Sequence, residues 1–203
     1  MARYKGPRAR ICRRLGYPVF ESPKFGNIRK NYAPGQHGQN SRGKLSNYGI
    51  QLREKQRIKY LYGVLEKQFR NYFKKAANKN GPTGNNLLIM LESRLDNTIY
   101  RLGLAPTRRA ARQMISHKHF LINSKVINIP SYLLDEGDVI KVRDKSKKIN
   151  IFQDSMRRIK GDHPAPWLTI DKGQLSGVFN ELPEREDIPE PVNEQLVVEL
   201  YSK

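Results

Sequence analysis

Cationic charge is crowded into the first part of this chain, where residues 1–80 hold 20 Lys and Arg against 3 Asp and Glu. So much like charge calls for a polyanion to neutralise it, and that requirement constrains both the fold and the partner. The imbalance fades along the chain, to 15 basic against 7 acidic groups in residues 81–160, and it reverses to 3 against 9 in 161–203. An acidic C-terminal segment is repelled from phosphates unless it faces elsewhere, so it is expected to pack back on the protein. Its close, Leu196-Val197-Val198-Glu199-Leu200-Tyr201, is apolar and β-prone, which argues against a solvated tail.

The chain as a whole carries a formal charge of +19, the footprint expected of a nucleic-acid partner. An anionic membrane surface or an acidic protein is the less favoured reading, because basic membrane helices concentrate their charge locally. With 203 residues and 37% hydrophobic content there is material for one or two domains with real cores. No run approaches the roughly 18 apolar residues of a spanning helix, and no signal-peptide core opens the sequence. A soluble protein, not secreted by a classical route, is expected. An organellar transit peptide is disfavoured by Gly6, Pro7 and the scarcity of Ser. Cys12, a single cysteine, permits neither an internal disulfide nor a multi-cysteine zinc site, and points to a reducing compartment.

Residues 1–47 are rich in Gly, Pro, Asn and basic groups without sustained periodicity, and read as an extended arm ordered by its partner. Arg3, Lys5, Arg8, Arg10, Arg13 and Arg14 are its candidate RNA contacts. From about Ile50 to Leu102 the pattern is helical, broken at Gly63 and Gly81-Pro82. Near 64–79, Leu65, Phe69, Tyr72, Phe73 and Ala76 recur on one side of a helix, with Lys67, Arg70 and Lys74 nearly opposite. Such regular spacing favours a packed core over base stacking for the aromatics, and leaves the three cations as candidate RNA contacts.

Between Ser93 and Asp144 the pattern becomes mixed. Leu95, Ile99 and Leu102 line a helix that Gly103 stops, and Thr107 is a fitting N-cap for a second helix reaching Ser116. Arg108, Arg109 and Arg112 share one sector of that second helix. Phe120-Leu121-Ile122 and Lys125-Val126-Ile127 flank a two-residue turn at Asn123-Ser124, and Asp138 to Val142 gives a third strand. A helix pair against a hairpin displays the Arg row with His117 and Lys118 as one patch suited to phosphates of folded RNA. Reversing Arg108 and Arg112 to Glu is expected to impair RNA binding and to leave the fold intact.

Chemical signals are few. Gly38 to Lys44 spaces like a phosphate-binding loop, but Leu45 stands where magnesium needs Ser or Thr. His117 and His119 lack the companions of a metal site, so no metal or cofactor is expected. Asp135, Glu136 and Asp138 read as a solvated turn without the groups acid/base catalysis requires, so no catalytic residue is assigned.

Met1-Ala2-Arg3-Tyr4, the loop Ala33 to Gly38, the run Tyr62 to Asn71, Arg94-Leu95-Asp96-Asn97, Tyr100 to Gly103 and the close Glu199 to Lys203 together resemble the bacterial-type small-subunit ribosomal protein S4 family. The resemblance runs over essentially the whole chain, in order. It implies an α+β fold, in which a helical domain carries an inserted RNA-binding module of helices and a small antiparallel sheet, behind a basic extended N-terminal arm. The implied divisions are an arm at 1–47, a helical domain at 48–92 completed by 188–203, and an inserted domain at 93–187 whose core is 93–144. It also implies a structural, non-enzymatic constituent of the small ribosomal subunit, cytoplasmic or in an organelle ribosome. Such a protein binds the 5′ domain of 16S rRNA early at a multi-helix junction, nucleates assembly, and lines the path by which mRNA enters beside neighbouring ribosomal proteins.

By the same resemblance Arg108, Arg109, Arg112 and Lys118 match the module's basic helix and its exit, while Arg42, Lys44 and Arg53 match the region near mRNA. Two positions depart from the pattern: Cys12 alone cannot form the four-cysteine zinc site of some members, and Asn123-Ser124 replaces the commoner Asn-Gly turn. An RNA-modifying enzyme would need a catalytic domain for which too few residues follow the module. A free RNA chaperone or regulatory RNA-binding protein with the same module is the competing reading.

Overall fold

The computed structural model describes residues 3–26, 30, 32–40, 43–157 and 165–202. The chain divides into two compact units, Met1–Leu87 with Glu190–Lys203, and Leu88–Pro189.

In the first unit α1 (Arg8–Leu15), α2 (Asn47–Leu61) and α3 (Glu66–Ala77) are followed by α4 (Thr83–Glu92), inside which the division falls, and the C-terminal α8 (Glu194–Tyr201) joins them. The arm is therefore not extended throughout. One face of α1 buries Cys12 beside Val19 and Phe20, and partly buried Tyr4 and Tyr60 close over them with ring centroids 5.2 Å apart. Gly16, in the left-handed region at φ 64°, ends the helix as glycine alone does cheaply. Only Cys12 of α1 is buried, too small an apolar signal to register as periodicity.

In α3, Phe69, Tyr72 and Ala76 are buried and Lys67, Arg70 and Lys74 are exposed, the division the spacing implies. The acidic tail does pack back, as a helix rather than a strand. Asn193 caps it by accepting from the N–H groups of Gln195 and Leu196, and Glu194 occupies the first turn where negative charge is favourable. Packing against α2 outweighs the β propensity of its valines. Gln51 Nε2 donates to Glu199 Oε2 at 2.8 Å, the backbone N–H of Asn193 donates to Glu54 at 2.9 Å, and Tyr201 stacks on Phe73 with centroids 4.5 Å apart.

The second unit holds α5 (Leu95–Arg101), α6 (Arg108–Ser116) and α7 (Asn150–Met156) with a five-stranded antiparallel sheet of order β2-β1-β3-β5-β4. Its strands are β1 (Phe120–Ile122), β2 (Lys125–Val126), β3 (Asp138–Val142), β4 (Leu168–Asp171) and β5 (Ser176–Phe179). The fold is thus α+β. Phe120, Ile122, Ile140, Val142 and Phe179 alternate onto one sheet face and form a core with Leu95, Ile99 and Leu102 of the helices. Gly177 lies directly under Leu102, where an added Cβ would stand 2.5 Å from Leu102 Cδ2. The hairpin β4–β5 is unanticipated, being two four-residue strands whose pattern is too short to read. Among the described residues no helix is long and apolar enough to cross a membrane.

Candidate nucleic-acid interface

Asn123 and Ser124 have φ of 47° and 69°, the pair of positive values that a tight two-residue hairpin turn demands. Asn123 is anchored: its Nδ2 donates to Asp138 Oδ1 at 2.6 Å and its Oδ1 accepts from the N–H of Val139 at 3.0 Å. Asp138 is accordingly buried and bonded, and its Oδ2 accepts from the N–H of Asp135. That corrects its reading as part of a solvated turn; Asp135 and Glu136 are exposed.

Thr107 caps α6 as expected, accepting from the N–H of Ala110 at 3.1 Å. The arginines of α6 then separate. Arg108 is only 4% exposed, donates through Nε to Asn97 Oδ1 at 2.6 Å, and lies over the Tyr100 ring at 4.6 Å. Arg112 is half-buried and pairs with Asp96, which also binds Arg94 at 2.9 Å. Burial pushes the Asp96 carboxyl up, but the guanidinium groups of Arg94 and Arg112 outweigh it and hold it below the usual carboxylate range. Glu92, the last residue of α4, accepts from two residues of α5, Arg101 at 2.8 Å and Asn97. Arg108 and Arg112 are therefore interior fasteners joining α5 to α6, and reversing both would bury uncompensated anions instead of sparing the fold. Arg109 remains at the partly exposed edge of this row.

At the exit of α6 the backbone turns through Lys118, at φ 62°, a conformation that costs a non-glycine residue about 1 kcal/mol. His117 and Lys118 are exposed, and Arg143 Nη1 donates to the Lys118 carbonyl at 3.0 Å. A basic turn with a fixed backbone results. Arg143 was not anticipated; it directly follows the strand ending at Val142, and its approach to the turn depends on the β1–β3 pairing of Phe120 with Val142. Burial, with the nearby charges of His117 and Arg143, holds His119 below its ordinary pKa, and His119 Nδ1 bonds Ser146 Oγ at 2.9 Å.

The first unit carries the remaining candidates. Arg3, Lys5, Arg8, Arg10 and Arg14 are exposed, with the Arg8 guanidinium 5.3 Å from the Phe25 ring centre. Arg13 is half-buried, donating to the carbonyls of Tyr32 and Ala33 at 3.0 and 3.2 Å. Arg53 donates to the Arg14 carbonyl at 2.8 Å, so it also secures the C-terminal end of α1. Lys44 is exposed, and Arg42 lies outside the described residues. Lys55 and Lys59, by contrast, are buried against Glu66 at 2.5 and 2.9 Å. Among the described residues no group of three or more His, Cys, Asp or Glu is placed to hold a metal ion.

A capped basic helix, a second helix fastened to it by buried ion pairs, and a small antiparallel sheet behind them define a compact RNA-binding module of the S4-domain class. Residues 93–140 match the S4 domain, and residues 3–92 match the ribosomal protein S4/S9 N-terminal domain. The chain is 55% identical over 203 residues to the small ribosomal subunit protein uS4 of Cytophaga hutchinsonii, 54% to that of Parabacteroides distasonis, and 52% over 205 residues to that of Chlorobaculum tepidum. In each case both chains are covered completely. The chain belongs to the uS4 family, whose members are structural proteins and not enzymes.

Proposed function

We propose that the chain is a structural constituent of the small ribosomal subunit in the cytoplasm, where it binds rRNA and neighbouring ribosomal proteins. Full-length identity of about half to proteins named uS4 carries this reading. Within it, the protein binds a multi-helix junction in the 5′ domain of 16S rRNA early and nucleates assembly there, and the region of Arg42, Lys44 and Arg53 faces the channel where mRNA enters. The exposed cations Arg3, Lys5, Arg8, Arg10, Arg14, Lys67, Arg70, Lys74 and Lys118, with the partly exposed Arg13 and Arg109, neutralise phosphates of RNA helices and hold them at fixed angles, the exposed His117 adds a hydrogen-bonding group beside them, and Arg112 acts through its tie to Asp96. Arg108 serves the interface indirectly, by holding the helix that presents its neighbours. For this role the chain comprises a basic arm at 1–47, a helical domain at 48–92 completed by 188–203, and an inserted domain at 93–187.

The test is crosslinking in cells followed by sequencing of the attached RNA, with sedimentation in parallel. Crosslinks concentrated in the 5′ domain of small-subunit rRNA, and co-sedimentation with the small subunit, are expected. Sedimentation apart from the subunit, with crosslinks scattered over many transcripts, would instead identify a free RNA chaperone.

A further inference from the structure

A cavity of about 210 Å³ opens beside the basic turn at the end of α6. Met114, Phe152, Ile149 and Ile151 supply apolar wall, and Gln113, His117 and His119 supply polar rim. Two features mark it as more than a surface fold. Ile149 and Ile151 are 39% and 38% exposed, so two large β-branched side chains spend apolar surface on water at one spot. Moreover, the rim is pre-set: Ser146 fixes His119 at 2.9 Å, Phe152 meets the His119 ring edge-on at 6.2 Å, and the His117 ring lies 6.0 Å away.

Shape and charge select the occupant. The volume is below the roughly 300–1,000 Å³ of pockets for drug-sized ligands, and suits one flat ring system. Apolar walls favour the faces of such a ring, while Gln113 and the two imidazoles can exchange hydrogen bonds with a heteroaromatic edge. Cations neighbour the lining residues along the chain. Lys118 follows His117, Arg143 donates to the Lys118 carbonyl at 3.0 Å, and Lys148 precedes Ile149. An apolar ring with polar edges and a neighbouring anion describes a nucleotide better than it describes an acyl chain or an aliphatic side chain.

We infer that this cavity receives a single unstacked nucleobase of the bound RNA, with the adjoining phosphates held by Lys118 and Arg143. This rests on the RNA-binding reading above and adds to it a base-sized contact that phosphate neutralisation does not require.

The test uses the full chain and follows the imidazole NMR signals of His117 and His119 during titration with adenosine 5′-monophosphate, with ribose 5-phosphate as the base-free probe. Saturable shifts of both imidazoles with the nucleotide are expected, together with affinity for ribose 5-phosphate weaker by about tenfold or more, since stacking on each base carries about 1–3 kcal/mol. Ile151→Asp should weaken nucleotide binding by about tenfold, and Gln113→Ala, at an exposed position, checks the rim should the first variant misfold. Equal response to the two probes would mark a phosphate site only, and unmoved imidazoles would mark no site; either overturns the inference. A 5′-domain rRNA fragment is titrated alongside. If the wild type binds that fragment but Ile151→Asp and Gln113→Ala bind it equally well, the base contact fails and the ribosomal reading stands. If the nucleotide binds while the fragment does not, the ribosomal reading fails on its own.

Discussion

Arg112 Nε donates to Asp96 Oδ2 at 2.5 Å, tying the middle of α6 to the first turn of α5. Asp96 is almost wholly buried, as is its second partner Arg94, each 1% exposed. The basic helix α6 is thus held in place by a buried carboxylate that two inward-facing arginines share.

Replacing Asp96 by Ala should destabilise the second unit by about 3–5 kcal/mol, because Arg94 and Arg112 would lose the buried carboxylate they share. Urea unfolding of the variant against wild type measures this. A loss under about 1 kcal/mol would show that Arg94 escapes to water when Asp96 is removed.

The same carboxylate sets a pH dependence. Its pKa is lower in the folded protein than the ordinary value of 3.8, so its stabilisation is complete above 3.8 and is lost as pH falls through the lower folded value. The stability gap between wild type and Asp96→Asn should therefore stay constant from neutral pH to near 3.8 and narrow only below it. Narrowing that begins near neutrality would mean that burial, not the arginines, governs this group.

Lys118→Gly separates binding from folding. Glycine relieves the left-handed strain at φ 62°, so stability should hold or rise by up to about 1 kcal/mol. RNA affinity should nevertheless fall, and the slope of log affinity against log salt should flatten by about 1, the effect of one lost phosphate contact. An unchanged salt slope in this variant would remove Lys118 from the interface.

At the hairpin, Ser124→Gly should raise stability by about 0.5–1 kcal/mol, since φ of 69° suits glycine and penalises serine. Asn123→Ala should do the reverse, by about 1–3 kcal/mol, through loss of its bonds to buried Asp138 and the N–H of Val139. Thermal unfolding of the two variants should place them on opposite sides of wild type.

Long periodic helices and β1–β3 were legible because each announces itself locally: a Thr107 cap, a Gly103 stop, a two-residue turn. What escaped depends on partners distant in sequence. The apolar close of the chain reads as a strand until α2 supplies a surface that an amphipathic helix covers better, 148 residues away at the Gln51–Glu199 bond. Helix spacing correctly groups Arg108, Arg109 and Arg112, yet it is silent on which of them faces inward. That is decided by Asn97 and Asp96, which lie 11 and 16 residues earlier. The basic turn was half seen, because Lys118 lies on the helix exit while Arg143 comes 25 residues later.

The seating of α8 against α2 also governs how the molecule can be made. Synthesis runs from the N-terminus, so residues 88–189 have all left the catalytic centre of the translating ribosome before α8 exists. The central unit has its full sequence at a time when the first still lacks its last helix. A chain ending near residue 190 would lack α8 altogether and leave its seat on α2 open.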